Sequence, residues 1–143
     1  MQNMSSVDPN SQVKITPECE QECIKANISI YNNLAACLLA SIKDKNDQKN
    51  DQELEKVIKY ADIVLELDGK NDKALFRKAQ AQKQLRNFSC ARENFEILKG
   101  IQGLKVSKDV VQGIKECQEA LKESDKKEKS MYKNMFAGKT GEN

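Results

Sequence analysis

Apolar residues recur every three or four positions in five segments of the chain, and polar stretches separate these segments. That spacing keeps apolar side chains on one face of an α-helix, so the pattern predicts an all-α fold. The first predicted helix begins at Pro17. The second follows residue 52 and ends near Gly69, the third covers about 72–86, the fourth about 88–99, and the fifth follows Ser107.

The ends of these helices carry suitable capping residues. Thr16 can cap the first helix, Asn71 or Asp72 the third, and Ser107 the fifth, because short polar side chains accept hydrogen bonds from the first free amides of a helix. Residues 43–52 contain no apolar side chain, so they are predicted to form a solvated loop.

The second and fourth helices repeat each other. The apolar positions of one are matched 34 residues later in the other: Val57, Ala61 and Val64 correspond to Ala91, Phe95 and Leu98. Tyr31, Leu34 and Ala35 correspond in the same way to Leu75, Lys78 and Ala79, with a longer spacing because of the polar loop. A 34-residue helix-turn-helix period is typical of tetratricopeptide (TPR) repeats.

The last helix is predicted to be long and to cap the repeats. It has no apolar residue over 122–130, and Met131, Tyr132, Met135 and Phe136 then follow at helical spacing. The predicted fold is a TPR-type solenoid with a long C-terminal capping helix. We divide the chain into residues 1–15 as a disordered lead-in or inter-repeat loop, 16–137 as a TPR domain of two full repeats plus the capping helix, and 138–143 as a flexible tail.

The amino-acid composition narrows the classes of function that the chain can have. The net charge of +2 gives no indication of nucleic-acid binding, and no apolar run is long enough to span a membrane. The absence of histidine removes the commonest general base and the commonest metal ligand. Five scattered cysteines are expected to be free thiols in a reducing, cytoplasmic setting. We therefore expect no metal and no cofactor.

Two cations stand four residues apart in the third helix, Lys73 and Arg77. Like charges at this spacing share a helix face and repel each other by a few tenths of a kcal/mol. Either this face is simply solvated, or an anionic ligand binds to it.

Four segments resemble the C-terminal TPR domain of FKBP-type immunophilins. They are "YNNLAACLL" (31–39), "NDKALFRKAQAQ" (71–82), "FSCARENFEIL" (88–98) and "IKECQEALKESDKKEKSMYKNMF" (114–136). In that family the domain follows one or more prolyl-isomerase domains. It binds the acidic "EEVD" tail of heat-shock chaperones of the ninety- or seventy-kilodalton class.

The resemblance implies a two-carboxylate clamp. The family's clamp positions fall on Asn33, Lys73 and Arg77, with Phe76 and Gln80 lining the same groove. Phe76 is equally well explained as a core residue. The implied function is that of a co-chaperone docking module without catalysis of its own.

The family's first repeat has no counterpart in residues 1–23, so we expect a fragment that begins between repeats one and two, or a degenerate relative. The outer side of Ile24, Ile28 and Tyr31 would then be exposed, which predicts self-association or folding-back of residues 1–15. Three alternatives stay open: a non-catalytic piece of a larger prolyl isomerase, a self-associating scaffold, and a calmodulin-binding segment in the C-terminal helix.

Overall fold

The computed structural model describes residues 14–44 and 47–140, and these residues form α-helices and short 3-10 turns without any β-strand. The five helices are α1 (Pro17–Ser41), α2 (Asp51–Leu67), α3 (Asp72–Gln84), α4 (Phe88–Gln102) and α5 (Lys108–Thr140). Two 3-10 turns, Gln48–Asn50 and Gly103–Lys105, precede α2 and α5.

Each helix packs on its neighbours along the chain. Beyond these pairs, α1 contacts α3 and α3 contacts α5, whereas the backbones of α2 and α4 do not come into contact in the described part of the chain. Helices α1, α3 and α5 therefore form one layer, and α2 and α4 form a second layer behind it. This is the arrangement of an all-α helical-repeat solenoid, which confirms the predicted fold class.

The repeat positions found in the sequence form the core. Val57, Ala61 and Val64 of α2 are buried, and so are their counterparts Ala91, Phe95 and Leu98 of α4. Small residues allow the paired helices to approach closely. One such close approach is at Gly113 of α5, where an added Cβ would lie 2.6 Å from the ring of Phe95.

The helix starts agree with the predicted caps. Thr16 accepts a hydrogen bond from the amide of Cys19 at 3.2 Å. Asn71, rather than Asp72, caps α3 by accepting from the amide of Ala74 at 3.0 Å. Ser107 accepts from the amide of Val110 at 3.4 Å. These side chains satisfy amides that the helix itself leaves without partners.

Several predicted boundaries are wrong. The expected loop 43–52 is shorter, because residues 48–50 form a 3-10 turn and α2 begins at Asp51. Helix α3 ends at Gln84, and α4 continues through Gly100 to Gln102. A glycine inside a helix costs only about 1 kcal/mol relative to alanine, so packing of the neighbouring turns overrides it.

The predicted termini are described only in part. Residues 1–13 of the expected lead-in, and 141–143 of the expected flexible tail, lie outside the described residues. Residues 138–140 belong to α5. Within residues 14–44 and 47–140, no helix combines the length and the apolarity needed to cross a bilayer.

The exposed side of α1 also differs from the prediction. Ile24, Ile28 and Tyr31 are only half-exposed, and the last two pack on a core cluster of α2 and α3. Ile30 and Leu34 face outward instead. The reason is that α1 packs on α2 and on α3 at once, which buries a wider face than contact with one partner would.

Candidate functional site

An open groove runs between the middle of α1 and the start of α3. It has a volume of ≈ 370 Å³ and polar walls. Its lining residues are Ile28, Ser29, Asn32 and Asn33 from α1, and Asn71, Asp72 and Lys73 from the beginning of α3. Because the amino end of α3 opens into the groove, the helix dipole adds partial positive charge there.

An asparagine pair holds the two walls together. Asn32 is only 6% exposed, and its Nδ2 donates a hydrogen bond to Oδ1 of Asn71 at 3.2 Å. The same Oδ1 caps α3, and Nδ2 of Asn71 donates to Asp68 at 3.2 Å. The side-chain oxygen of Asn32, Oδ1, is buried without a hydrogen-bond partner among the described residues. The network fixes the register of α1 against α3.

Two of the predicted clamp residues line this groove together. Asn33 and Lys73 are both exposed, one on each wall. Neither forms an ion pair or side-chain hydrogen bond in the part of the chain that the structure describes. An amide and an ammonium group are thus both available to a ligand between the helices.

Arg77 lies one turn further along α3. Its side chain is half-buried, and Nη1 is enclosed without a hydrogen-bond partner among residues 14–44 and 47–140. Burial lowers the pKa of its guanidinium from the ordinary value, although the group stays charged at neutral pH. A partly desolvated cation without a counter-charge is costly, and an anionic ligand would relieve that cost.

Phe76 is a core residue, and it does not line the groove between α1 and α3. It packs on the core and meets Phe95 edge-on, with ring centroids 6.0 Å apart. It also lines a second depression of ≈ 260 Å³, which it shares with Lys73 and with Gln102, Ser107 and Asp109. Lys73 therefore stands between the two depressions. Gln80 is half-buried and lines neither of them, and the same is true of Arg77.

Sequence reasoning missed Ser29, Asn32 and Asn71 as groove residues. The sequence predicts Asn71 only as a helix cap, and it predicts no role for Asn32, which directly precedes the clamp candidate Asn33. The available signal was the adjacent pair of asparagines, since polar residues at an inward position of an apolar helix usually have a specific partner.

The C-terminal part of α5 extends beyond the body of the molecule. All residues from Lys122 to Gly138 are exposed. Four large apolar side chains lie there: Met131, Tyr132, Met135 and Phe136 are each more than half exposed. This segment is the one that the sequence offers as an alternative binding site, for calmodulin.

The fold and the groove together define a helical-repeat protein with an open, partly cationic groove on its layer of α1, α3 and α5. No protein-family model matches the chain. It is 31% identical over 121 residues to FK506-binding protein 59 of Drosophila melanogaster, a match that covers 85% of this chain and 25% of that protein. It is 34% identical over 79 residues to peptidyl-prolyl cis-trans isomerase FKBP4 of Bos taurus, covering 55% and 17%.

The chain is therefore a relative of the large FKBP-type immunophilins, as its motifs indicated. It spans a quarter or less of the length of these two relatives.

Proposed function

We propose that this chain is the TPR interaction module of an immunophilin-like co-chaperone. It docks the acidic EEVD tail of a heat-shock chaperone of the ninety- or seventy-kilodalton class. Asn33, Lys73 and Arg77 hold the terminal carboxylates, and Phe76 and Gln80 contact the preceding residues. The observation that carries the proposal is the pair of cations on α3. Lys73 is exposed at the groove, and Arg77 is half-buried with no hydrogen-bond partner for its Nη1 among the described residues.

The physical argument rests on charge-assisted hydrogen bonds. A bond from an ammonium or guanidinium group to a carboxylate is about twice as strong as a neutral one. A peptide that ends in aspartate brings two carboxylates on one residue. Lys73 and Arg77 then gain a counter-charge, and the repulsion between them is cancelled.

The proposal includes no catalysis by this chain. One relative is by name a peptidyl-prolyl cis-trans isomerase, and this chain matches 17% of it. We place the chain in the non-catalytic part of such a larger enzyme. The cysteines among residues 14–44 and 47–140 are free thiols, which supports a reducing, cytoplasmic location.

The test is a titration of the chain with the free-acid peptide MEEVD, followed by backbone amide shifts. Shifts are expected at Asn33, Lys73 and Arg77. The same peptide with an amidated C-terminus should fail to bind, because it lacks one of the two carboxylates. Equal binding of both peptides would reject the clamp.

Single substitutions locate the interaction. Lys73→Ala and Arg77→Ala should each weaken binding roughly 10- to 150-fold, because each removes a charge-assisted bond of about 1.5–3 kcal/mol. Lys56→Ala is the matched control, since Lys56 is an exposed lysine of α2, in the other layer. An equal loss in Lys56→Ala would indicate general charge attraction instead of a clamp.

A second candidate function is supported by the end of α5. Met131 with Met135 and Tyr132 with Phe136 form two exposed i,i+4 pairs on a helix rich in lysine. Calmodulin binds helices of this kind by enclosing their apolar anchors. Titration with calcium-loaded calmodulin tests this candidate, and shifts confined to residues 122–136 would support it.

A further inference from the structure

The outer face of α1 carries an apolar stripe that no other described part of the chain covers. We define the α1 stripe as Cys19, Cys23, Ala26, Ile30, Leu34 and Cys37, which are all exposed. Ile30 is 53% exposed and Leu34 41%. These residues share one side of the helix, opposite Ala35, which packs on α2. The stripe borders the wall of the peptide groove, because Asn33 lies one turn from both Ile30 and Cys37.

The stripe has an internal symmetry about Ile30. Cys23 and Cys37 lie seven residues before and after Ile30, and Ala26 and Leu34 lie four residues before and after it. In an antiparallel pair of α1 helices with the two-fold axis at Ile30, each position meets its mirror position in the partner. Cys23 then faces the Cys37 position, Ala26 faces the Leu34 position, and the two Ile30 side chains meet at the centre.

This pairing is complementary in size and in charge. A small alanine opposite a larger leucine lets the helices interdigitate. The first turn of α1 is acidic, with Glu18 and Glu20, and Lys43 follows its other end. The antiparallel arrangement brings Lys43 of one copy close to this acidic turn in the other copy, twice. It also sets the two helix dipoles antiparallel, so the positive end of each helix lies beside the negative end of the other.

We infer that the α1 stripe binds a second copy of this chain through this antiparallel, two-fold symmetric contact. A self-complementary patch is what an isologous dimer requires, because each copy contributes the same surface. The segment 1–13, "MQNMSSVDPNSQV", is a poorer occupant because its apolar residues are few and have no helical spacing. The inference does not depend on chaperone-tail binding.

The first test measures mass in solution under reducing conditions over a range of concentrations. The chain should approach twice its mass of 16.2 kDa. Ile30→Glu should weaken the dimer roughly tenfold or more, because it places two carboxylates against each other at the centre. Ile97→Glu is the matched control. It changes an isoleucine of α4 that is 47% exposed, and it should leave the dimer intact.

The second test determines the register by cross-linking with a short bis-maleimide. All variants carry Cys19→Ser and Cys90→Ser, and buried Cys117 is retained. One variant then keeps only Cys23 on the stripe and the other only Cys37. Neither variant alone should form a covalent dimer, because equivalent thiols lie roughly 21 Å apart along the antiparallel pair. A mixture of the two should cross-link.

The results that would overturn the inference are distinct. A monomer at every concentration would reject the dimer, and an equal effect of Ile30→Glu and Ile97→Glu would reject the stripe as the contact. Cross-linking of the Cys23 variant with itself would reject the antiparallel register. If deletion of residues 1–13 converted a monomer into a dimer, then residues 1–13, and not a second copy, would be the occupant of the α1 stripe in the full chain. Circular dichroism verifies that each variant keeps its helices.

Discussion

At the scale of single residues, two adjacent asparagines on α1 have opposite environments. Asn33 is exposed in the groove, whereas Asn32 is buried and bonded to Asn71, 39 residues away. The sequence could predict that one of them faces the groove, because the motif around Asn33 is local. It could not predict the role of Asn32, because a rotation of about 100° per residue decides which side chain meets a distant partner.

The cysteines differ in the same way, and their reactivity should follow burial. Cys117 is fully buried, and burial is the main cause that raises the pKa of its thiol from the ordinary value. The raised pKa lowers the fraction of reactive thiolate at Cys117, and its burial shields it from the reagent, whereas Cys19 is exposed. Alkylation of Cys117 should be at least about a hundredfold slower, because it requires opening of the core. Mass spectrometry of timed samples measures both rates.

Two conditions make the cysteine experiment decisive. The protein should be dilute enough to remain monomeric, and in denaturant all five thiols should react alike. The raised pKa also has a consequence for stability. The buried, protonated thiol of Cys117 contributes in full to the free energy of unfolding below the ordinary pKa of cysteine. This contribution is lost as the pH rises through the raised pKa, so Cys117 should destabilise the fold only in alkali. Equal alkylation rates of Cys117 and Cys19 in the native protein would contradict the buried position.

At the scale of whole elements, helix starts were easier to predict than helix ends. Thr16, Asn71 and Ser107 cap their helices with side chains that need only neighbouring amides. The predicted end of α4, at about residue 99, is wrong because the helix continues through Gly100. Nothing lies within 4 Å of a Cβ added there, and the helix continues for two residues beyond it. Local composition could not show that the turns on both sides are held by packing.

Two glycines in helices should therefore respond oppositely to alanine. Gly113→Ala should destabilise the fold by about 1–3 kcal/mol, because its Cβ would meet three ring atoms of Phe95 at 2.6–2.9 Å. Gly100→Ala should stabilise it by about 0.4–1 kcal/mol, because it restricts the unfolded chain without a clash. Urea unfolding at equilibrium measures both free energies. A Gly113→Ala variant as stable as Gly100→Ala would show that α4 and α5 do not pack this closely.

At the scale of the whole molecule, the order of the helices along the chain determines most of the architecture. Each helix packs on the next, so predicting the helices and their period was enough to predict the solenoid. The groove was harder, because it depends on how α1 and α3 meet across α2. The periodic positions gave the buried core, and the family motif gave Asn33, Lys73 and Arg77 as candidates. Neither could show that Arg77 would be half-enclosed while Lys73 stays open.

The separation of the groove from the end of α5 gives a test at this scale. Deleting residues 131–143 removes only exposed side chains among those described up to residue 138. The urea midpoint should therefore stay unchanged, while the helical circular-dichroism signal falls with the lost turns. The affinity for MEEVD should also stay the same, because Asn33, Lys73 and Arg77 lie in the body. Any calmodulin binding should disappear with Met131 and Phe136. If the deletion instead weakened MEEVD binding as much as Arg77→Ala does, the acidic peptide would be binding to the C-terminal helix, and the clamp would be the wrong site.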